Sequence, residues 1–236
     1  MTTLVLSAFL AVVANHLELI GTSRLPDARG MVKVETSHGL HGAARVLVRL
    51  DGMKPAALFG GDFNTYVVWL VPSDGRPQNC GEIPIEGDGG KLLISTTLQT
   101  FGVFVTAEPH FAVDVPSRFV VLKVPSDDAF PESPAEMEGR SYNYERSSLV
   151  GAKQASGPVH STVKQAFTAV RLAERAGAIT LAPEELRAAR KSLQVTLELS
   201  RHGAAPKGVD EQARQTVELA ATAQRLAESR SGSNYR

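Results

Sequence analysis

Residues 64–83 read NTYVVWLVPSDGRPQNCGEI, and residues 90–122 read GKLLISTTLQTFGVFVTAEPHFAVDVPSRFVVL. Short apolar runs rich in β-branched and aromatic residues alternate here with Pro, Gly, Asp and Ser. The apolar runs favour strands that bury one face, and the residues between them favour surface turns. The stretch therefore predicts a small β-sandwich of the immunoglobulin-like type.

The same pattern of strand-forming segments extends towards the N-terminus. Residues 31–36 and 44–50 alternate between polar and apolar side chains, as half-buried strands do. Residues 65–71 are continuously apolar, which predicts a central strand with Trp69 buried. Further strands are expected at 81–85, 91–96, 102–107 and 118–124. We expect seven or eight strands, in a sandwich domain over residues 17–124.

In the last third of the chain, apolar residues repeat with a different spacing. Residues 125–157 are rich in Pro, Ser and charge, which predicts a partly disordered linker. Apolar residues then recur at helical spacing over 158–230, with a break at Gly177 and a new start at Pro183. The apolar stripes are mostly Ala and bury little area, so these antiparallel helices need each other, the sandwich or a second copy. The predicted class is α+β, as a two-part chain.

The composition of the chain disfavours several classes of function. Lys and Arg number 25, Asp and Glu also number 25, and the formal net charge is zero. Without an excess of positive charge, nucleic-acid binding is disfavoured. Cys80 is the one cysteine, so it forms no intrachain disulfide and has no partner at zinc-ligand spacing. We interpret Cys80 as a small, half-buried apolar residue.

The N-terminal run LVLSAFLAVVA (4–14) is too short to span a membrane. Its length suits the hydrophobic part of a secretory signal, with cleavage before Asn15. No Lys or Arg precedes the run, so a first strand or an incomplete signal within residues 1–16 stays open. Export would place the protein in the periplasm or cell envelope, whereas a strand would leave it in the cytoplasm.

Candidate site residues are few. His38 and His41 could face the same way in a hairpin loop, but a metal site needs more ligands, so we expect solvated histidines. Pro109 bends the chain between Glu108 and His110, and could aim both at one surface. No nucleophile or oxyanion donor accompanies them. We therefore expect no catalytic, cofactor or metal residues, and we name Glu108, His110 and Phe111 as a candidate interaction surface.

Two family resemblances are visible in these motifs. The run YVVWLVPSDGRPQNCGEI with LQTFGVFVTAEPHFAVDVPSRFVVL resembles the β-sandwich of certain bacterial envelope proteins, which often carry an OmpA-like peptidoglycan-binding domain. It is similar, more distantly, to the extracytoplasmic domain of anti-sigma-K factors. The segments AERAGAITLAPEELRAARKSL and QARQTVELAATAQRLAE resemble the Ala-rich helical module that accompanies such envelope proteins. No region resembles the OmpA-like domain, and Cys80 stands where an aliphatic residue is usual.

The sequence thus predicts a non-enzymatic cell-envelope protein that binds or scaffolds through protein–protein contacts. The expected partner is another envelope protein, or a second copy that contacts the helices, and peripheral membrane contact stays open. The resemblance to anti-sigma factors implies an alternative, a sensory or regulatory extracytoplasmic module. A cytoplasmic interaction protein is the third interpretation, if residues 4–14 form a strand.

Overall fold

A computed structural model describes residues 16–36, 43–72, 75–98, 100–125, 139–142 and 158–233. The apolar run 4–14, His38 and His41 lie outside the described residues, as does most of the predicted linker. Two regular parts are present: a β-sheet up to residue 123 and a group of helices from residue 158.

The nine strands within the described ranges belong to one antiparallel sheet. In chain order they are β1 (His16–Gly21), β2 (Arg29–Thr36), β3 (Ala44–Asp51), β4 (Thr65–Pro72), β5 (Gln78–Glu82), β6 (Ile85–Glu86), β7 (Gly89–Thr96), β8 (Phe101–Glu108) and β9 (Val120–Lys123). Their order across the sheet is β5-β4-β8-β9-β1-β2-β3-β7-β6. A short 3-10 helix (Ala56–Phe59) lies between β3 and β4.

The main core lies on one face of this sheet. Strand β3 shows the alternation clearly: Val46 and Val48 are buried, while Arg45 and Arg49 are exposed. Inward-facing side chains from β1 to β4 and from β7 to β9 join one apolar cluster. Since one face of a single sheet encloses that cluster, the sheet is curled into a half-barrel. Its helix-side face carries a second, smaller cluster around Trp69 and Phe104.

The helices form their own core and pack beside the sheet. They are α1 (Pro158–Arg175), α2 (Ala178–Leu181), α3 (Pro183–Arg201) and α4 (Pro206–Ser233). Gly177 adopts a left-handed φ of 84° after α1, a conformation that favours glycine. The stripes of small residues meet inside this group, where Ala166, Ala189 and Ala220 are fully buried.

The α+β class is confirmed, and the sheet differs from the predicted one. We expected seven or eight strands in a two-sheet sandwich, and the structure has nine strands in one sheet. The difference comes from the pairing of β1 with β9, where Ile20 and Gly21 pair with Lys123 and Leu122. This two-residue ladder joins a four-strand half to a five-strand half. Gly21 permits it, because a Cβ there would lie 1.9 Å from the carbonyl oxygen of Leu25.

Candidate functional site

The three predicted site residues lie where the sheet meets the helices. Glu108 ends β8, and His110 and Phe111 begin the loop 109–119 that leads to β9. Glu108 and His110 are both buried, with at most 2% of their surface exposed. The structure therefore places them inside the molecule, and their role towards a partner stays a prediction.

Glu108 lies in a network of buried polar groups. Its Oε1 accepts hydrogen bonds from Thr106 Oγ1 at 2.5 Å and from the Ser117 backbone N–H at 2.6 Å. Thr106 in turn accepts the indole N–H of Trp69 at 2.7 Å. Glu108 Oε2 has no hydrogen-bond partner among the described residues. Burial raises the pKa of Glu108 to about 8, against the opposing effect of these donors, so the carboxyl is mostly protonated at neutral pH.

His110 is buried without a polar contact. Neither ring nitrogen has a hydrogen-bond partner among the residues that the structure describes. Burial, together with the positive charges of Arg140 and Arg225, lowers the pKa of His110 to about 3. A cavity of about 10 Å³ lies beside the ring, which is too small for an organic substrate. His110 is therefore a neutral imidazole enclosed by protein.

Phe111 connects the loop to the helices. Its ring packs against the helical core, and the Arg214 guanidinium lies 4.9 Å from the ring centroid. Its backbone N–H donates to Gln165 Oε1 at 3.0 Å. On the other side, Asn79 Nδ2 donates to the Phe111 carbonyl oxygen at 2.9 Å. The residue thus mediates an internal contact between sheet and helices.

Glu82 forms a polar link between the sheet and the helices. Its Oε1 accepts from Thr65 Oγ1 at 2.5 Å and from Gln165 Nε2 at 2.6 Å, and its Oε2 accepts from Arg214 Nη2 at 2.9 Å. The side chain is 9% exposed. Sequence reasoning missed this residue, because its partners are 17, 83 and 132 positions away and no local pattern marks them.

A second polar link comes from the segment 139–142. Arg140 binds both carboxylate oxygens of Glu228, at 2.6 and 2.7 Å, and lies 3.2 Å from Asp114. Its backbone N–H donates to the Pro116 carbonyl oxygen, and its carbonyl oxygen accepts from Arg118. The Glu228 contact raises the pKa of Arg140 and lowers that of Glu228, although burial opposes both shifts. This residue therefore fixes the helices to the loop before β9.

The chemical capacity of this region is limited. Ser117 is the nearest serine in sequence, but its Oγ is buried and donates to the Ala107 carbonyl oxygen at 2.7 Å. Across the described ranges, no three His, Cys, Asp or Glu side chains are grouped to hold a metal ion. Cys80 is half-buried, and burial raises the pKa of its thiol, which reduces its nucleophilicity at neutral pH. The arrangement suits structural support.

The opposite end of the sheet presents an exposed surface. We call it the outer face, and define it by three rows of paired residues on β1, β2, β3 and β7. The rows are Glu18–Met31–Arg49–Lys91, His16–Lys33–Leu47–Leu93 and Glu35–Arg45–Ser95. Met31 is 51% exposed and Leu93 is 53% exposed. Four Lys or Arg side chains and two carboxylates share this face, so its formal net charge is +2 in a chain of net charge zero.

Comparison with known proteins gives no relative. No protein-family model, no curated protein and no solved structure matches the chain. Within the described ranges, no helix has both the length and the apolar character needed to cross a membrane.

Proposed function

We propose that this chain is a non-enzymatic binding or scaffolding protein of the bacterial cell envelope that acts through protein–protein contacts. The observation that supports binding is the outer face, where Met31 and Leu93 are about half exposed among cationic side chains. Exposed large apolar side chains with a polar surround are typical of interaction surfaces. The assignment to the envelope rests on the family resemblance and on the apolar run 4–14.

The charge of the outer face indicates the kind of partner. Lys33, Arg45, Arg49 and Lys91 surround the apolar residue Leu47, which lies between Met31 and Leu93 across the strands. An acidic protein surface with an apolar centre would complement this arrangement. Charge complementarity of this kind increases the rate of association and weakens with added salt.

The placement of Glu108 and His110 supports a non-enzymatic role. A general acid or base must come within hydrogen-bond distance of the atoms that react. Glu108 is covered by the loop 109–119 through Ser117, and His110 lies beside Ala221 of α4, so a substrate would reach them only after the loop or the helices moved. An activity that disappears in Glu108→Gln and His110→Ala variants that remain folded would contradict this proposal.

The helices contribute less to binding than their sequence suggests. We expected their Ala stripes to join a partner or a second copy. In the structure the stripes pack against one another within the chain, and Ala213, Ala220 and Ala227 are fully buried. Isolated apolar residues such as Ile179, 60% exposed, remain on the helical surface. We therefore assign the partner to the outer face.

Site-specific photo-crosslinking in the native cell tests this proposal. A photoreactive residue at position 93 should capture one acidic protein, and the same residue at Ala188, an exposed helical position, should not. The Met31→Glu variant, with the photoreactive residue kept at position 93, should lose the captured protein and keep its fold. Equal capture at both positions, or none at position 93, would refute the assignment. Capture of lipid at position 93 would instead indicate an anionic membrane.

The location needs a separate measurement. Sequencing the N-terminus of the protein from fractionated cells distinguishes export from a cytoplasmic chain. We expect a processed N-terminus at Asn15 and recovery in the envelope fraction. An intact Met1 in the cytosolic fraction would support the cytoplasmic alternative. Co-purification with a sigma factor or a sigma-binding protein would support the regulatory alternative.

A further inference from the structure

One side of strand β7 is mostly unpaired within the described ranges. The other side pairs with β3 over residues 90–96. On the unpaired side, β6 meets only residues 89–90. Pro84 precedes β6 and has no N–H to donate, so that ladder ends beside Lys91. We call the unpaired side of residues 92–96 the open edge, and the backbone groups of such an edge can pair with another strand.

The β6–β7 turn identifies the backbone groups that point to the open edge. Residues 87–88 form a two-residue loop with Gly87 at a φ of 67°, so Glu86 and Gly89 on either side exchange hydrogen bonds. Successive residues of a strand direct their N–H and C=O groups to opposite sides, so the even-numbered residues of β7 bond β3. The residues whose groups point to the open edge are Leu93 and Ser95. No described loop bonds these groups.

Strand β5 touches β7 but does not close this edge. No ladder joins the two strands in the part of the chain that the structure describes. The pairing of β5 with β4 shifts register between Val67 and Trp69, and Gly81 within β5 has a φ of 111°. Such irregularities bend a strand, which explains why β5 leaves the sheet unclosed. As a result, Leu92 is only half-buried, although its partner Val48 on β3 is fully buried.

The outer face determines the chemistry of a segment that would lie along the open edge. Leu93 is the central side chain and is about half exposed. Lys91 precedes it on the same face, with Arg49 behind Lys91 on β3. Ser95 follows it, with Arg45 behind Ser95. An apolar residue flanked at alternate positions by acidic residues complements this order.

Nearby carboxylates do not reverse the charge of this surface. Glu35 bonds Lys33 at 2.8 Å on β2. Asp51 and Glu86 lie at the hairpin end of β7, where Asp51 pairs in register with Arg29. With that row included, the Lys and Arg side chains of the face still outnumber its carboxylates.

We propose that an extended acidic segment of the partner protein adds to β7 as a further antiparallel strand, beside Leu93 and Ser95. This inference rests on the proposed function, because it states how the acidic partner of the outer face is held. Backbone hydrogen bonds to the open edge give affinity, and the alternate side chains give specificity. The segment also covers Leu92 on the core side.

Amide hydrogen exchange of the unbound chain tests the open edge directly. The amides of Leu93 and Ser95 should exchange at least about a hundredfold faster than those of Leu92 and Ile94, which donate to β3. Equal protection of all four would overturn the proposal, because another segment of this chain would then occupy the edge.

Titration of the full chain with the capped peptide TETVTET tests the occupant. Its central Val would lie beside Leu93, with Glu two residues away on each side. We expect saturable binding with a Kd of about 0.1–1 mM, and at least about tenfold weaker binding of the matched peptide TKTVTKT. N-methylation of the central Val blocks an N–H that faces β7 and should weaken binding by about tenfold. N-methylation of the next Thr, whose N–H faces away, should change the affinity little.

Three outcomes of the titration would overturn the proposal. They are equal affinity for the two peptides, equal effects of the two N-methyl groups, and no saturable binding at millimolar concentration.

Ser95→Pro separates this proposal from the proposed function. It removes an N–H of the open edge and keeps the β3 ladder, so the variant should stay folded and bind TETVTET about tenfold more weakly. Ser95→Ala keeps the N–H and should bind normally. Partner capture at position 93 that persists in Ser95→Pro would overturn strand addition and leave the outer-face assignment standing. Peptide binding without any capture at position 93 would overturn the proposed function and leave the open edge standing.

Discussion

Replacing Glu108 by Gln should change how the stability of this protein depends on pH. Glu108 has a pKa of about 8 in the fold against 4.5 for the ordinary carboxyl. Between these values the unfolded chain has lost a proton that the folded chain keeps, so raising the pH opposes folding. The stabilisation is complete below pH 4.5 and is lost as the pH rises to about 8. Glutamine mimics the protonated carboxyl and removes this dependence.

His110 changes the folding stability in the opposite direction, over a lower pH range. Its pKa is about 3 in the fold against 6.5 for ordinary histidine. Between these values the unfolded chain binds a proton that the folded chain does not, so stability rises with pH up to 6.5. Each group contributes about 1.4 kcal/mol per pH unit within its own range. The two slopes therefore cancel between pH 4.5 and 6.5.

These slopes give the expected dependence of the free energy of unfolding on pH for the wild type and for Glu108→Gln. The free energy of unfolding of the wild type should be level from pH 4.5 to 6.5, then fall by about 2 kcal/mol up to pH 8. In Glu108→Gln it should rise by about 3 kcal/mol from pH 4.5 to 6.5 and then stay level. The gain from the substitution therefore grows with pH, to about 5 kcal/mol at pH 8.

Urea unfolding at half-unit intervals from pH 5 to 8.5 measures these profiles. Trp69, the one Trp of the chain, is fully buried and hydrogen-bonded to Thr106, so its fluorescence reports unfolding. Glu86→Gln, at an exposed position, is the matched control and should keep the wild-type profile. A wild-type stability that stays level or rises from pH 6.5 to 8 would refute the reasoning. A Glu108→Gln profile parallel to the wild type would refute it equally.

Three further substitutions test the packing of the chain. Glu82→Ala removes the carboxylate that the buried Gln165 and the partly buried Arg214 bind, while Arg214 keeps its contact with Asp210. The substitution should lower the free energy of unfolding by about 2–3 kcal/mol in urea titration, and a loss no larger than that of Glu86→Ala would contradict the assigned link. Ala189→Leu overfills the helical core and should lower the free energy of unfolding by about 1–3 kcal/mol in calorimetry. Ala188→Leu changes the exposed neighbouring residue and should leave the free energy of unfolding almost unchanged. Equal effects of the two substitutions would refute the packing. Gly21→Ala places a Cβ 1.9 Å from a carbonyl oxygen and should lower the melting temperature sharply. Gly208→Ala has open space around the new Cβ and should raise the melting temperature slightly. A higher melting temperature for Gly21→Ala than for Gly208→Ala would be inconsistent with the β1–β9 junction.

Much of the fold follows from local pattern. The period-two alternation at residues 31–36 and 44–50 corresponds to β2 and β3, and Gly177 and Pro183 lie at helix ends as expected. The joining of the strands into one sheet depends instead on the β1–β9 pairing. Its partners are about 100 residues apart, so no local pattern indicates them.

The candidate site was only partly predictable. We expected the Pro109 bend to aim Glu108 and His110 at one surface, and in the structure both side chains are buried. Their burial could not be foreseen, because it depends on helices that begin 48 residues after His110. The outer face was visible in the sequence as the alternation of β2 and β3. Its exposure depends on the helices packing against the other end of the sheet.

The polar contacts between sheet and helices also affect how the chain can be divided. Glu82 with Arg214, Asp62 with Arg175 and Arg140 with Glu228 join residues on opposite sides of the segment 143–157. A fragment ending at residue 142 would expose the apolar side of Phe111 and leave Glu82 without its helical partners. The two fragments produced separately should therefore reassociate when mixed, which makes this chain a candidate for fragment complementation.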